Sequence, residues 1–209
     1  MTSMFKMSMF AAPISPVKDG KSGRIIRPAT VYPYRDITLE ELVKIIRESA
    51  KLKRKTEEVR EPLLMGDKSR FSELKREMLP YVTPNGCFSY RRSDKLVKPS
   101  GLVVIDIDGL ESREVAENMR QKLFDDAYLT PALCFISPSD RGVKAFVPYV
   151  RQPGMEAAES ISTNIIDIMT YVEYVYGNGE EIDSRVDQSG KDIARSCFLC
   201  HDANALARI

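Results

Sequence analysis

Two aspartates, Asp106 and Asp108, stand two residues apart at the end of the run GLVVIDIDGL, residues 101–110. Val103, Val104, Ile105 and Ile107 are β-branched, so the run reads as a buried strand, ended by Gly109 and the polar Glu111 and Ser112. Residues two apart on a strand share a face, and both carboxylates therefore project together. Carboxylates this close repel unless a cation lies between them. Magnesium or manganese is the usual partner, because both prefer oxygen ligands and share them with substrate phosphates. The pair is a candidate metal site.

Three further aspartates, Asp183, Asp187 and Asp192, precede Arg195 and the apolar SCFLC. A strand over 196–200 would return one of them to the metal site, and spacing alone leaves the choice open. Between the two regions lies SPSDRGVKAFVPYV, a polar loop running into a strand over 143–150. Ser137, Ser139 and Arg141 surround Gly142, a residue free to adopt backbone conformations closed to others, and Lys144 follows. Hydroxyls, turn amides, a guanidinium and an ammonium together make a triphosphate cradle. Taken alone, the same composition describes an ordinary hairpin turn. Arg91 and Arg92, just upstream of the aspartate strand, are candidate nucleic-acid contacts, with plain surface charge as the other reading. Cys197, Cys200 and His201 lack a second ligand pair at zinc-finger spacing, so small buried thiols are the better account. His201 is the only histidine, which excludes a multi-histidine site.

These groups must be held by a folded chain, and 209 residues suffice to bury a core as one domain or two small lobes. No apolar run reaches the roughly 18 to 20 residues that span a bilayer, so no membrane partner is expected. The opening MTSMFKMSMFAAP alternates rather than forming the apolar block of a secretory signal. Four scattered cysteines make no disulfide framework, and the reading is a cytoplasmic protein. The net charge of +1 conceals an uneven distribution. Lys68, Arg70, Lys75, Arg76, Arg91, Arg92, Lys95 and Lys98 outnumber the acids of that stretch, and the sign reverses over 106–126. A basic lobe beside an acidic site suits a phosphate-bearing ligand whose reacting end meets metal.

Residues 1–37 predict one or two strands joined by a loop around 18–23. Thr38 and Glu41 form a capping box for a helix running to about Ser49, and the charged 51–60 stretch is helical or mobile. Asp67 caps a second helix that turns Phe71, Leu74 and Met78 inward and ends before Pro80. YVTPNGCFSYRR, 81–92, reads as strand, turn and strand. Val115, Met119 and Leu123 space a helix of three turns, 132–136 is a buried strand, and 156–176 is a long amphipathic helix.

With the aspartate strand, the SPSDRGVK loop and the terminal VDQSGKDIARSCFLCHD in order, the chain resembles the archaeo-eukaryotic primase superfamily. It looks most like the VirE N-terminal type of primase-polymerase domain from bacterial mobile elements. The resemblance runs from about Leu79 to Asp202. It implies an α+β fold: an RRM-like, mainly antiparallel sheet over 81–209, with an N-terminal α/β unit over 1–80. It also implies template-directed DNA or RNA primer synthesis or extension by a two-metal mechanism. Asp106, Asp108 and Asp187 would be the catalytic and metal-binding carboxylates, with Asp183 as substitute for the third. Ser137, Ser139, Arg141, Lys144 and Arg195 would hold the nucleotide, and Mg2+ or Mn2+ would be the cofactor. DNA template, primer strand and dNTP or NTP would be partners, with a helicase as a further one, since related proteins often continue into such a domain. Better-known primases carry histidine where this chain has Lys144; lysine still binds phosphate, as a point charge.

That departure motivates a second reading, a non-catalytic DNA-binding or replication-initiation module on the same fold. A third is a haloacid dehalogenase-type phosphatase, whose nucleophilic aspartate also follows a hydrophobic strand. Against it stand Leu110 where threonine is expected and the mid-chain position of the pair.

Overall fold

A computed structural model describes residues 5–177, 186–187 and 191–209. Their fold is mixed α+β, with two four-stranded antiparallel sheets, two small hairpins and five α-helices among the described residues. The strands are β1 (Lys6–Phe10), β2 (Val17–Lys18), β3 (Ile25–Arg27), β4 (Arg35–Thr38), β5 (Tyr81–Thr83), β6 (Gly86–Phe88), β7 (Leu96–Pro99), β8 (Leu102–Ile107), β9 (Leu133–Ile136), β10 (Val143–Pro148), β11 (Cys197–Phe198) and β12 (Leu206–Ala207). The helices are α1 (Leu39–Glu48), α2 (Ala50–Leu64), α3 (Lys68–Met78), α4 (Arg113–Asp125) and α5 (Ala157–Tyr176). None of them is long and apolar enough to cross a membrane.

The central sheet runs β12-β9-β10-β8. Its strands are apolar on both sides because both faces are covered. Val103, Ile105 and Ile107 of β8 pack with Ala116 and Leu123 of α4 and Ile161, Ile165 and Val172 of α5. Leu102 and Val104, pointing the other way, join Phe135, Phe146, Met7, Met9, Leu42 and Ile46 in a second core. Asp106 continues the Leu102–Val104 face, so it emerges where that second core ends.

The second sheet, β11-β5-β1-β4, draws strands from both ends of the chain. Met9 of β1 stands opposite Val82 of β5, and Cys197 of β11 opposite Val82 from the other side. A boundary at residue 80 therefore passes through a sheet, and the N-terminal strands and the segment after 81 share one core. The helix signals read from sequence correspond to real caps. Thr38 and Glu41 exchange both bonds of the capping box, and Asp67 accepts from the Arg70 N–H at 2.8 Å. The strand–turn–strand reading of 81–92 needs one correction, because its two strands join different ladders. β5 pairs with β1 and β11, whereas β6 pairs with β7. Gly86 permits this, since a Cβ there would stand 2.6 Å from both Leu96 Cδ1 and the Lys98 carbonyl.

Candidate metal and phosphate site

Asp106 ends the inner face of β8, and Asp108 follows it past the strand end. The third carboxylate arrives from a distant segment. Val186 forms an antiparallel bridge with Ile107, and the Asp187 N–H donates to the Asp106 carbonyl at 2.9 Å. Carboxylate oxygens of Asp106, Asp108 and Asp187 then lie within 4.8 Å of one another. Asp192 takes another role: its Oδ1 accepts from Ser93 Oγ at 2.6 Å and from the Ala194 N–H at 2.9 Å. Asp183 lies outside the described residues.

The triad sits at a cavity of about 370 Å3 lined by the end of the central sheet, α3 and the segment 192–198. Lys75, Arg91, Lys144 and Arg195 bring positive charge to its wall, with Ser137 and Ser139 beside them. Lys144 faces Asp106 directly across the β10–β8 ladder, and its ammonium is ion-paired with Asp106 Oδ2. Burial pulls its pKa down, but the attraction of Asp106 outweighs this and holds Lys144 above the ordinary lysine value. Lys144 lines the cavity with Ser137 and Ser139 and also neutralises half of the aspartate pair, because strand register sets it opposite Asp106 and only 7% of the residue is exposed. Arg195 is likewise ion-paired with Asp187 Oδ2.

One carboxylate oxygen of the cluster, Asp106 Oδ1, is buried with no hydrogen-bond partner among the described residues. Asp108 reaches solvent on one side, yet crowding by protein, then repulsion from Asp106, pushes its carboxyl up to about 6. An orphaned buried oxygen, a carboxyl held above its normal range and an all-oxygen donor set fit a hard divalent cation. Asp106, Asp108 and Asp187 are the residues that would hold it.

The polar loop is built around close approach rather than glycine flexibility. A Cβ on Gly142 would stand 2.6 Å from Asp108 Oδ1 and from the Ile107 carbonyl, and 2.8 Å from Ser137 Oγ. The left-handed conformation falls to Asp140 instead, at φ 63°. Asp140 is clamped by Arg60 of α2 at 2.9 Å and by Arg113 of α4. Arg60 also donates to the Pro138 and Ser137 carbonyls at 2.9 and 3.2 Å. Beneath the loop, Asp202 accepts from the Ile136 N–H at 2.8 Å and is ion-paired with the buried Arg120 at 2.8 Å. Ser137 and Ser139 are thus fixed, with their hydroxyls 3.0 Å apart.

Arg141, expected at the nucleotide, is exposed and outside the cavity wall; Arg92, expected as a nucleic-acid contact, is exposed and ion-paired with the exposed Asp94, with one contact of 2.8 Å. Arg91 does reach the cavity, held by the Ile14 carbonyl at 2.9 Å and stacked over Tyr81. The four cysteines are buried free thiols, each pushed up to about 12 by burial, and His201 Nδ1 lies 3.0 Å from the Ile46 carbonyl, so the zinc alternative has no assembled ligand set among the described residues.

Lys75 was visible in sequence only as one basic residue in a charged helix. Its ammonium lies 5.5 Å from the Phe71 ring centre and 5.4 Å from that of Phe198. Burial, then repulsion from Lys144, draws its pKa below the usual lysine value. The i, i+4 spacing of Phe71 and Lys75 is readable in the chain, but Phe198 comes from β11 and only the fold supplies it.

Neither a curated protein nor a solved structure matches the chain. Residues 73–206, more than half of its length and the span that contributes β8, the polar loop, Asp187 and Arg195, match the model of the BT4734-like, N-terminal domain, and the chain belongs to that family.

Proposed function

We propose that the protein is a nucleotidyltransferase of the primase-polymerase type, acting on nucleoside triphosphates with Mg2+ or Mn2+ held by Asp106, Asp108 and Asp187. The observation that carries this reading is the convergence of three carboxylates, within 4.8 Å of one another, on a cavity that Lys75, Arg91, Lys144 and Arg195 also line. Strand order adds support. β9-β10-β8 with Val186 beyond β8, and with α4 and α5 on one face, is the arrangement expected of an RRM-like sheet. Its carboxylates emerge on the face away from those helices.

A divalent cation bound there would lower the pKa of an attacking hydroxyl and neutralise charge on the phosphate. The chain's own residues divide the remaining work. Ser137 and Ser139 offer hydroxyl donors at the loop, and Lys75 and Arg91 offer positive charge to the phosphate tail. Lys144 holds the Asp106 carboxylate in place from the neighbouring strand. Arg195 does the same for Asp187.

Lys144 also favours a second reading, a nucleic-acid-binding module without transfer activity, since its ammonium already satisfies one oxygen of Asp106. Extension of a labelled primer-template with dNTPs or NTPs, in magnesium and in manganese, separates the two. Extension that disappears in the Asp106→Ala, Asp108→Ala variant supports nucleotidyl transfer. Folded protein that binds the primer-template and never extends it supports the binding module.

A further inference from the structure

The hairpin of β2 and β3 and the chain that follows it, residues 17–35, precede the family-matched span and carry an unusual surface. Lys18, Lys21, Arg24 and Arg27 are all exposed, against one acid in the segment, Asp19, while Arg35 is ion-paired with Glu41 at 3.2 Å. Asp19 is turned inward on its own loop, accepting from the Ser22 N–H and Oγ, each at 2.7 Å. The same segment carries Tyr32 and Tyr34, 65% and 56% exposed, and Ile25 and Ile26, 53% and 60% exposed. Tyr90 braces the Tyr32 ring edge-on at 5.1 Å.

The base of this segment is tied to the cavity rim. Ile14, three residues before β2, lines the cavity and takes a hydrogen bond from Arg91 at 2.9 Å. Val31, one step before Tyr32, accepts the Arg91 N–H at 2.9 Å, and Arg27 is ion-paired with Glu77 of α3 at 3.6 Å. The segment therefore adjoins the cavity at Ile14 and Arg91.

We propose that residues 17–35 form a docking surface for single-stranded nucleic acid, with Tyr32 and Tyr34 stacking on unpaired bases and Lys18, Lys21, Arg24 and Arg27 following the phosphates. Interleaved aromatic faces and cations are what a single strand needs: bases offer flat faces only when unpaired, and the backbone offers a charge at every step. A duplex would use the cations and leave the tyrosines idle. The strand's role as template or primer rests on the nucleotidyltransferase reading; the surface itself stands on its own residues.

The test is fluorescence anisotropy of a fluorescein-labelled 20-mer of thymidylate with the full chain, at 50 and 200 mM salt, against a duplex of equal length. Four phosphate contacts on a single strand give a loss of affinity of roughly 50-fold over that salt range. Tyr32→Ala, Tyr34→Ala is expected to weaken binding at least about tenfold, whereas Tyr32→Phe, Tyr34→Phe keeps it within about twofold. Lys21→Ala, Arg24→Ala makes the salt dependence shallower by about 1.4 log units per log unit. Binding unchanged in the alanine variants, preference for duplex, equal competition by polyglutamate, or no binding at 50 mM salt each overturns the proposal. Primer extension run alongside keeps the two readings apart. Hairpin-dependent binding without extension removes nucleotidyl transfer alone, and extension with hairpin-independent binding removes the docking surface alone.

Discussion

The Asp187 N–H is bonded to the Asp106 carbonyl at 2.9 Å, so the third carboxylate is held to the first through main chain. The Val186–Ile107 bridge beside it extends the β8 edge by one pairing. A contact made this way fixes where the Asp187 side chain begins whatever surrounds it, and leaves Arg195 to orient its carboxylate.

Substitution of Asp187 by asparagine should therefore leave the backbone bridge and remove a metal ligand. Manganese at a hundredfold excess over Kd is expected to stabilise the parent by about 2 to 3 kcal/mol. Thermal unfolding with and without manganese should show that gain lost in Asp187→Asn and retained in Asp192→Asn, whose Oδ1 can still accept from Ser93 and the Ala194 N–H. Equal loss in both variants would put the third ligand in doubt.

Asp108 predicts a pH dependence of defined sign. Its carboxyl is pushed from the usual 3.8 up to about 6, so between these values the folded protein binds more protons than the unfolded chain. Metal-free stability should consequently fall as pH rises from about 4 to 6 and then level off. Asp108→Asn removes the penalty and should stabilise the metal-free protein at pH 7 by about 1 kcal/mol, a figure discounted for the solvent that screens this carboxylate. Manganese affinity has the opposite trend, rising through pH 6 as the proton leaves. Denaturant titrations at pH 4.5, 6 and 7.5 check both signs.

Much of this could be read from the chain because it is local. Alternation along β8 sets Asp106 on the face opposite Ile105 and Ile107, with Asp108 two residues on and just past the strand end, and the Thr38–Glu41 and Asp67 caps act within one helical turn. What escaped the sequence depends on register or on distant segments. Lys144 lies opposite Asp106 because β10 pairs with β8 in one register out of several, and a single-step slip would have turned it to the other face. Phe198 meets Lys75 only because β11 joins β5, and Asp187 parted from Asp192 only through a one-residue bridge. The loop glycine was legible as special, but its reason, room for Asp108 and Ser137, is a tertiary one.

Gly142→Ala tests that reason. The added methyl group meets Asp108 Oδ1, the Ile107 carbonyl and Ser137 Oγ at under 3 Å, and backbone cannot yield as a flexible side-chain tip does. A cost of about 1 to 3 kcal/mol in urea unfolding is expected. Manganese affinity should fall in the same variant, since relief of the clash displaces Asp108 from Asp106 and Asp187.

Lys144→Met keeps the stem of the side chain and deletes the charge beside Asp106. Removal of one partner from a buried pair leaves the other uncompensated, at about 3 to 5 kcal/mol. A divalent cation supplies charge at the same carboxylate. The manganese-induced rise in stability should therefore be larger in Lys144→Met than in the parent; an equal rise would mean that Lys144 and metal do not share Asp106.

Lys75 offers the sharpest separation of binding from folding. Lys144 and Arg195 are engaged by carboxylates and Arg91 by a carbonyl, whereas Lys75 is held among the cavity residues by two aromatic rings. Loss of its ammonium forfeits a cation–π contribution of about 0.5 to 1 kcal/mol but also relieves the burial that draws its pKa down, so stability should change little. A hydrogen bond from this charge to phosphate contributes about 1.5 to 3 kcal/mol, and Lys75→Ala should weaken nucleoside triphosphate binding roughly 10- to 100-fold. Calorimetric titration with a triphosphate and the matching monophosphate, both in magnesium, distinguishes contact with the phosphate tail from contact near the sugar. The variant should lose most of the triphosphate's advantage and bind monophosphate nearly as the parent does. Because the Lys75 proton leaves at lower pH than that of an ordinary lysine, triphosphate affinity of the parent should begin to fall on the alkaline side before free lysine titrates, and Lys75→Arg should restore a flat profile.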